Sequence, residues 1–292
     1  MGHFIIGANG LVGAAVGRVL TAQGLPWTGS GNRREAAGLV KLDITRAAEV
    51  DAVLSAHSPS VVVHAANLAG GVDHCENNPA IATAFHLEAT KAIGAWCQRS
   101  GARLVFVSTD YVFDGAHPPY AEDDEKNPLN LYGRLKLQAE RWIEANVASY
   151  AIARTTNVFG WDPQTVTPNF LMGLVRALEA HKPFNAPSFL SGNPTYVGDL
   201  AEALVELSLE QPSGVYHVVG SSFVDRYEWA QAAAAAFGLD GALLVDVKAP
   251  SPTMIPRPLR SWLATDRFRA THRTLLRDMA EGLARMKADR TT

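Results

Sequence analysis

A tyrosine and a lysine one helical turn apart are the residues in this sequence whose types and spacing most clearly suggest chemistry. Tyr132 and Lys136 lie in NPLNLYGRLKLQAE (127–140), whose pattern is that of the start of an amphipathic helix. Because side chains at i and i+4 of a helix face the same way, the phenol and the ammonium should share one face. A free phenol has a pKa of about 10, and a nearby ammonium favours the phenolate and lowers that pKa. We therefore predict that Tyr132 donates a proton; a packed tyrosine beside a solvated lysine is the alternative.

Two hydroxyl residues end one of the predicted strands. The apolar run RLVFVS (103–108) leads into Thr109, so Ser108 and Thr109 should emerge beyond the carboxyl end of a strand, where open parallel sheets bind ligands. Reduction of a ketone needs a hydride on carbon and a proton on oxygen. A hydroxyl such as that of Thr109 can hold the carbonyl oxygen in line with the hydride donor. We predict Thr109, Tyr132 and Lys136 as the catalytic residues of a ketone reductase.

The elements that must position these residues follow a βαβ rhythm. Unbroken apolar runs, typical of strands buried on both faces, alternate with longer helical patterns. This predicts an α/β fold, a doubly wound parallel sheet of the Rossmann type with a second, smaller α/β substrate-binding region. Strands are predicted at 3–7, 61–66, 103–108, 150–154 and 215–220, and helices at 11–23, 46–56, 79–100, 132–146, 169–181, 198–210, 226–237 and 271–287.

Three glycines follow the first predicted strand. The loop GANGLVG carries Gly7, Gly10 and Gly13 directly before the first helix. Glycines let the backbone turn tightly and approach a diphosphate, and a helix N-terminus offers free N–H donors. The order of strand, glycine loop and helix predicts a dinucleotide site; a tight turn without a ligand is the alternative.

The residues after the second strand region indicate which dinucleotide binds. An acidic residue there would bond the ribose 2′-hydroxyl of NAD, whereas an arginine would neutralise the 2′-phosphate of NADP. The stretch TGSGNRRE places Arg33 and Arg34 before the first acid, Glu35. We therefore expect NADP(H) rather than NAD(H); an exposed loop with two ordinary arginines is the alternative. We assign 1–158 and about 192–220 to the NADP-binding domain, and about 159–191 and 221–292 to the substrate-binding domain.

Composition argues against several other classes of protein. The chain has 292 residues, of which 47% are hydrophobic and 19% charged, and its formal net charge is −3. These values indicate a globular protein and give no electrostatic reason to expect nucleic acid or a membrane as a partner. Cys75 and Cys97 offer no disulfide framework and no apolar run reaches membrane-spanning length, so we expect a soluble cytoplasmic protein. His74, Cys75 and Glu76 are adjacent and point apart, so no metal site is predicted.

The motifs together resemble those of the extended short-chain dehydrogenase/reductases. The GxxGxxG spacing of the loop, the strand-end Ser-Thr pair and the Tyr132–Lys136 spacing are similar to that superfamily's pattern. The stretches VVVHAANLAGGVDHCENNP, STDYVFDG, NPLNLYGRLKLQAE, GNPT, GVYHVVG and IPRPLRSWLATDRF resemble the dTDP-4-dehydrorhamnose reductases over most of the chain and in the same order. The resemblance implies that Thr109, Tyr132 and Lys136 reduce the 4-keto group of a nucleotide-linked sugar with NADPH.

The resemblance also implies a wider set of binding residues. The implied contacts of the cofactor lie on the glycine loop and the strand ends: Gly7, Asn9, Gly10, Leu11, Val12, Gly13, Ser30, Asn32, Arg33, Arg34, Asp43, Ile44, Ala65, Ala66, Asn67, Ser108, Tyr132, Lys136 and Thr155. Within that set Asp43 would bond the adenine amine. The implied contacts of the sugar nucleotide are Val72, Asp110, Tyr111, Asn157, Asn169, Phe170 and Arg257.

Two departures from the reductase pattern concern the sugar side. The reductases carry RTSWVYG where this chain has RTTNVFG, so Asn157 stands in place of a tryptophan, and Trp161 is a candidate substitute. The segment resembles the RxxNVYGP of nucleotide-sugar epimerases and dehydratases, an alternative function. His86 aligns with an asparagine that stabilises the site through water in the reductases.

A second resemblance keeps a different class of function open. DYVFDG and NLYGRLKL are similar to stretches in the regulatory β subunit of methionine adenosyltransferase, which acts as a binding partner rather than by turnover. A non-catalytic, NADP-binding subunit is therefore the alternative to a reductase. The family resemblance also suggests a homodimer formed through helices 79–100 and 132–146.

Overall fold

The computed structural model of the protein describes residues 2–32, 38–163, 168–209 and 212–291. The five apolar runs predicted as strands all contribute strands to its main sheet, and Trp27–Gly31 and Leu39–Lys41 add two more. The strands are, in chain order, β1 (His3–Ile6), β2 (Trp27–Gly31), β3 (Leu39–Lys41), β4 (Val61–His64), β5 (Arg103–Thr109), β6 (Tyr150–Thr155), β7 (Val158–Phe159), β8 (Phe184–Pro187), β9 (Ser191–Gly192), β10 (Thr195–Tyr196), β11 (Gly214–His217), β12 (Val224–Asp225), β13 (Leu244–Val247) and β14 (Arg260–Ser261).

Helices follow most of these strands and complete the βαβ pattern. They are α1 (Leu11–Ala22), α2 (Ala47–His57), α3 (Gly71–Asn77), α4 (Pro79–Thr83), α5 (Ala89–Ser100), α6 (Leu131–Asn146), α7 (Phe170–Glu179), α8 (Val197–Leu209), α9 (Arg226–Phe237), α10 (Asp266–Thr271) and α11 (Met279–Thr291). A π-helical segment, Ala84–Glu88, joins α4 to α5 within the predicted helix 79–100.

The described residues form a central seven-stranded sheet in the order β11–β6–β5–β4–β1–β2–β3, and every neighbouring pair in it is parallel. Successive residues of a strand face opposite sides, so Phe4 and Ile6 enter one core while Ile5 enters the other. Helices α2, α5 and α6 cover the first face, and α1 and α8 cover the second. The predicted doubly wound parallel sheet is confirmed.

A third core lies outside the sheet. It joins α7, α9 and α11 to the short strands β8 and β13, around the buried indole of Trp229. Side-chain caps set where two of these helices begin. Asn169 accepts a hydrogen bond from the Met172 amide, and Asp225 accepts from the amides of Tyr227 and Glu228.

The predicted helix 271–287 is wrong at its start. The chain is not helical between His272 and Asp278, and α11 runs from Met279 to Thr291. Carboxylates of α8 accept the backbone N–H groups in this segment: Glu206 accepts from Arg273 and Thr274, and Asp199 accepts from Arg277. These tertiary hydrogen bonds take the place of a helix's own and hold the segment extended across α8.

Candidate active site

The glycine loop lies where the order of the sheet reverses direction. From β1 the chain builds outwards through β2 and β3, and β4, β5 and β6 then extend the sheet on the other side of β1. Ligands of open α/β sheets bind in the crevice that this reversal leaves beyond the carboxyl ends of the strands. The loop that follows β1 is therefore at the expected position for a dinucleotide.

The backbone of this loop has no room for side chains. Gly7 has a positive φ of 86°, and a Cβ there would lie 2.8 Å from the Cα of Ala66. A Cβ on Gly13 would lie 2.2 Å from the carbonyl oxygen of Gly7. Gly10 is exposed and caps α1, whose first turn carries no acidic residue. The loop thus fits a diphosphate, which needs close approach to backbone N–H groups and no repelling carboxylate.

Neighbouring predicted cofactor residues hold the loop in shape. The carbonyl oxygen of Ser30 accepts hydrogen bonds from the amides of Gly7 and Ala8, at 3.2 and 2.9 Å. The Asn9 amide packs so closely on Gly31 that a Cβ on this glycine would lie 2.5 Å from the Asn9 Nδ2 atom. Leu11, Val12, Ala65 and Ala66 are half-buried around the crevice.

The residues assigned to the adenine side are placed less uniformly. Asp43 accepts two hydrogen bonds from Thr45, through the backbone amide at 3.0 Å and the hydroxyl at 2.7 Å, while Ile44 is buried in the first core. Asn32 and Asn67 are exposed. Arg33 and Arg34, predicted to meet the 2′-phosphate, lie outside the described residues.

Thr155 offers a further test of cofactor binding. It ends β6 directly beside Thr109 of β5, and its buried hydroxyl has no hydrogen-bond partner among the described residues. A buried hydroxyl without a partner is costly, so a donor or acceptor from a ligand would satisfy it. Together with the glycine cradle, this fits a nicotinamide dinucleotide lying across the strand ends.

The three predicted catalytic residues converge at the end of β5. Asn130 caps α6 by accepting from the Gly133 amide, and so places Tyr132 in the first turn of the helix. The Thr109 hydroxyl is a close neighbour of the Tyr132 phenol, and it donates its own hydrogen to the Asp110 carboxylate at 3.0 Å. Lys136, one turn later, is 3% exposed, and its ammonium donates to the Val107 carbonyl oxygen at 2.8 Å. The site is therefore a phenol, a hydroxyl and a buried cation at one strand end.

The expected lowering of the tyrosine pKa is not met. Burial raises the pKa of Tyr132, and its hydrogen bond with Thr109 only partly offsets this. Lys136 directs its charge at β5 and over the Phe106 ring, 4.4 Å from the ring centroid. Burial also lowers the pKa of Lys136 to about 8, against the carboxylate of Glu140, which raises it. Within the described residues, Tyr132 is thus a strongly protonated donor.

A buried ion pair supports the catalytic residues from behind. Glu140, one turn beyond Lys136, accepts from Arg154 at 2.7 Å, and the two side chains are 1% and 2% exposed. Ser108, predicted to contact the cofactor, donates its hydroxyl to Glu140 instead. The Glu140 carboxylate of α6 therefore bonds the helix that carries Lys136 to both β5, through Ser108, and β6, through Arg154.

His86 lies against Tyr132. The π-helical segment turns its ring edge-on to the Tyr132 ring, with 5.2 Å between the centroids, and its Nε2 atom lies 3.6 Å from the Cys75 sulfur. Burial lowers the pKa of His86 to about 2, so the ring is neutral. His86 can pack beside the phenol and cannot act there as a cation.

A small pocket adjoins the trio of Thr109, Tyr132 and Lys136. Asp110 and Tyr111, which directly follow Thr109, are part of its lining. Tyr111 separates the pocket from the trio, with its ring edge-on to Tyr132 at 5.7 Å between centroids. Of the predicted substrate residues, Asp110, Tyr111 and Asn157 line this pocket. The complete lining is Asp110, Tyr111, Thr156, Asn157, Leu190, Ser191, Arg226, Pro258 and Ser261.

Comparison with known proteins shows what the chain is related to. The family model described as the RmlD substrate binding domain matches residues 1–291. The chain belongs to this family. The extended short-chain dehydrogenase/reductase resemblance is thereby confirmed.

Two curated relatives differ in what their names describe. The chain is 33% identical to the methionine adenosyltransferase 2 subunit beta of Xenopus tropicalis over 260 residues, which cover 87% of this chain and 77% of the relative. The chain is 34% identical to the spore coat polysaccharide biosynthesis protein SpsK of Bacillus subtilis over 214 residues, which cover 71% of this chain and 72% of the relative.

Two solved structures with the same fold are described as dTDP-4-dehydrorhamnose reductases. The dTDP-4-dehydrorhamnose reductase of Bacillus anthracis in complex with NADP superposes with a TM-score of 0.89 at 25% identity, covering 99% of both chains. The Clostridium acetobutylicum dTDP-4-dehydrorhamnose reductase superposes at 0.87 and 26% identity, covering the whole of both chains. These neighbours support an NAD(P)-dependent oxidoreductase at the level of the RmlD family.

Several residues that the RmlD resemblance assigns to the substrate do not line the pocket. Asn169 uses its side chain as a helix cap and donates to the Gly160 carbonyl oxygen, and Phe170 stacks on Trp229. Val72 is buried on α3. Arg257 is paired with Asp73 at 2.8 Å. Trp161 lies under Arg290, 4.6 Å from the ring centroid, and so does not replace the missing indole.

Sequence reasoning missed Arg226. It lines the pocket opposite Asp110 and Tyr111, and its guanidinium donates to the Asn157 side chain at 3.2 Å. Its position at the start of α9, more than sixty residues from Asn157, left no local signal. In the stretch FVDRYEWA, a helix-capping aspartate directly before the arginine indicates that Arg226 begins a helix.

The described ranges contain neither a metal-binding cluster nor a membrane-spanning helix. No group of three or more histidine, cysteine or carboxylate residues in them is arranged to hold a metal ion. Nor does any helix in these ranges have the length and apolar composition to cross a bilayer.

Proposed function

We propose that this protein reduces the 4-keto group of a nucleotide-linked sugar with NADPH. The observation that carries the proposal is the convergence of Thr109, Tyr132 and Lys136 at the end of β5, between the glycine cradle and the pocket lined by Asp110 and Tyr111. NADPH, when bound, supplies the hydride.

The side chains of the trio divide the remaining work. The Thr109 hydroxyl neighbours the Tyr132 phenol at the end of β5, so both hydroxyls can meet one carbonyl oxygen once Thr109 turns its hydrogen from Asp110 to the ligand. Tyr132 gives this oxygen its proton as negative charge develops there. The Lys136 ammonium bonds Val107 and leaves Tyr132 protonated before proton transfer. Its role in the proposal is to stabilise the phenolate that forms afterwards, because a positive charge in a dry site acts strongly on nearby negative charge.

The preference for NADPH over NADH is part of the proposal. Arg33 and Arg34 support it through their charge, and the Bacillus anthracis relative is in complex with NADP. We also propose that about 159–191 and 221–292 form the substrate-binding domain, since the third core is built from these segments.

A second candidate function follows from the curated relatives. At 33% identity over 87% of the chain, the methionine adenosyltransferase 2 subunit beta supports a cofactor-binding subunit that regulates a partner enzyme. The partner would be the catalytic subunit of a methionine adenosyltransferase. The complete trio favours the reductase, because a binding subunit needs no proton donor.

The deciding measurement is NADPH oxidation against a panel of nucleotide-linked 4-keto sugars. Tyr132→Phe should lower turnover by at least about 100-fold, because it removes the proton donor. Titration of the same variant with NADPH and NADH should give wild-type affinities, tighter for NADPH. Tyr227→Phe, a half-buried tyrosine of the third core, is the matched control and should keep full turnover.

Undiminished turnover in Tyr132→Phe would refute the catalytic assignment. If the wild-type protein oxidises NADPH with no sugar of the panel, the second function gains support. It is then tested by adding the protein, with and without NADPH, to a methionine adenosyltransferase and measuring the rate of synthesis.

A further inference from the structure

Arg226 is a cation that forms no ion pair with any carboxylate of the described residues. Its guanidinium lines the pocket beside the trio and makes one side-chain hydrogen bond among the described residues, to the Asn157 Oδ1 atom at 3.2 Å. A guanidinium carries five N–H donors, so most of its bonding capacity is unused. The half-buried side chain is therefore equipped to bind a ligand in the pocket.

The carboxylates near Arg226 do not neutralise it. Asp110 is 3% exposed and accepts a hydrogen bond from the Thr109 hydroxyl at 3.0 Å. Burial raises the pKa of the Asp110 carboxyl, and among the described residues this carboxyl forms no ion pair with Arg226. Asp73 forms its ion pair with the other nearby arginine, Arg257. Within the described part of the chain, the Arg226 guanidinium in this pocket thus has no ion-pair partner.

The surroundings hold the guanidinium in one place. Asn157 has a positive φ of 47° and packs against Gly192, where a Cβ would lie 2.5 Å from the Asn157 amide nitrogen. The Phe170 ring lies under the guanidinium, with 5.4 Å from Cζ to the ring centroid. Asn157, with its strained backbone, and the Phe170 ring therefore orient the guanidinium. Most of the N–H donors of this group have no partner among the described residues.

We propose that Arg226 binds an oxyanion of the ligand, on the far side of Tyr111 from the proton donor Tyr132. This rests on the proposed function in taking the ligand to be a nucleotide-linked sugar. Two groups of such a ligand share the chemistry: the diphosphate and a carboxylate on the sugar. Both match the planar fork of an arginine better than the point charge of a lysine.

The test is calorimetric titration of wild-type protein and Arg226→Gln with UDP, dTDP, UDP-glucose and UDP-glucuronate, and with uridine as the uncharged probe. Arg226→Gln should weaken the anionic ligands by about 10- to 100-fold, since each charge-assisted hydrogen bond contributes that much. Arg226→Lys should lose less. Arg260→Gln removes an exposed arginine of β14 next to the pocket and should bind as wild type.

The probes separate the two sources of the anion. Equal loss for UDP, UDP-glucose and UDP-glucuronate assigns Arg226 to the diphosphate, whereas loss confined to UDP-glucuronate assigns it to the sugar carboxylate. Unchanged affinity for all four anions in both Arg226 variants overturns the inference. So does failure of the wild-type protein to bind any of them. Because no turnover is measured, these outcomes are independent of the Tyr132→Phe result.

Discussion

Lys136 carries a charge that is buried, which is unfavourable for an ammonium group. Its stem and ammonium are buried over Phe106, and the only oxygen it bonds among the described residues is the neutral carbonyl of Val107. Burial alone would drive the ammonium towards neutrality, and Glu140 opposes that change. The pKa of Lys136 is left at about 8, close enough to neutral pH for the charge to be lost under mild conditions.

We expect kcat/KM for ketone reduction to fall as pH rises through about 8, by up to tenfold per pH unit. Lys136 is positive below its pKa and neutral above it, and kcat/KM reports groups of the free enzyme. A pH–rate profile from pH 6 to 10 checks this. The residual activity of Lys136→Arg, whose charge persists, should show no such fall. A wild-type profile flat to pH 10 would contradict the assignment.

Helix α6 is the element that turns a sequence spacing into a site. One face of α6 carries Tyr132, Lys136 and Glu140 at intervals of four residues. Tyr132 is the proposed proton donor, Lys136 bonds the Val107 carbonyl, and Glu140 accepts the Ser108 hydroxyl. Close packing fixes the start of the helix against the turn after β5. A Cβ on Gly133 would lie 2.2 Å from the Tyr111 carbonyl oxygen. The separation between Tyr111 and Tyr132 depends on this glycine.

Gly133→Ala should destabilise the protein by about 1–3 kcal/mol and lower turnover, because the new methyl forces α6 away from Tyr111. Alanine in place of a helical glycine ordinarily stabilises by about 0.5–1 kcal/mol. Gly173→Ala in α7 is the control, since its Cβ would meet only Phe184 at an ordinary 3.7 Å. Chemical denaturation should therefore give changes of opposite sign, and a stabilised Gly133→Ala would refute the packing argument.

At the scale of the whole molecule, the interior holds neutral histidines. His64 and His86 lie between the sheet and α5, and His217 lies in the cluster of Arg154 and Glu122. Burial lowers the pKa of each, to about 3, 2 and 3, from an ordinary 6.5. The unfolded chain takes up these protons below pH 6.5 and the folded chain does not, so stability falls as pH falls through 6.5.

The free energy of unfolding should drop by about 4 kcal/mol between pH 7 and pH 5.5 from these three residues, with about a third of the drop from each. Guanidinium denaturation at the two values measures it. His86→Asn removes one titrating ring, so the drop in this variant should be smaller by about a third. An equal drop in variant and wild type would show that His86 is not held neutral.

Local patterns were enough to predict the scaffold. The unbroken apolar strands, the glycine loop and the i, i+4 pair are each set by a few adjacent residues, and the structure has the doubly wound sheet that they indicate. The helix at 271–287 failed for the opposite reason. Its first half is held extended by Glu206 and Asp199 of α8, which no local window contains.

The sequence by itself determined the fold class and which side chains could meet at the carboxyl end of β5, because backbone sterics and hydrophobic period act over short distances. Only the tertiary structure decided what those side chains experience. It raised the pKa of Tyr132, turned Ser108 to Glu140 and brought Arg226 to Asn157. Burial and charge depend on residues that are distant along the chain, and folding alone brings them together.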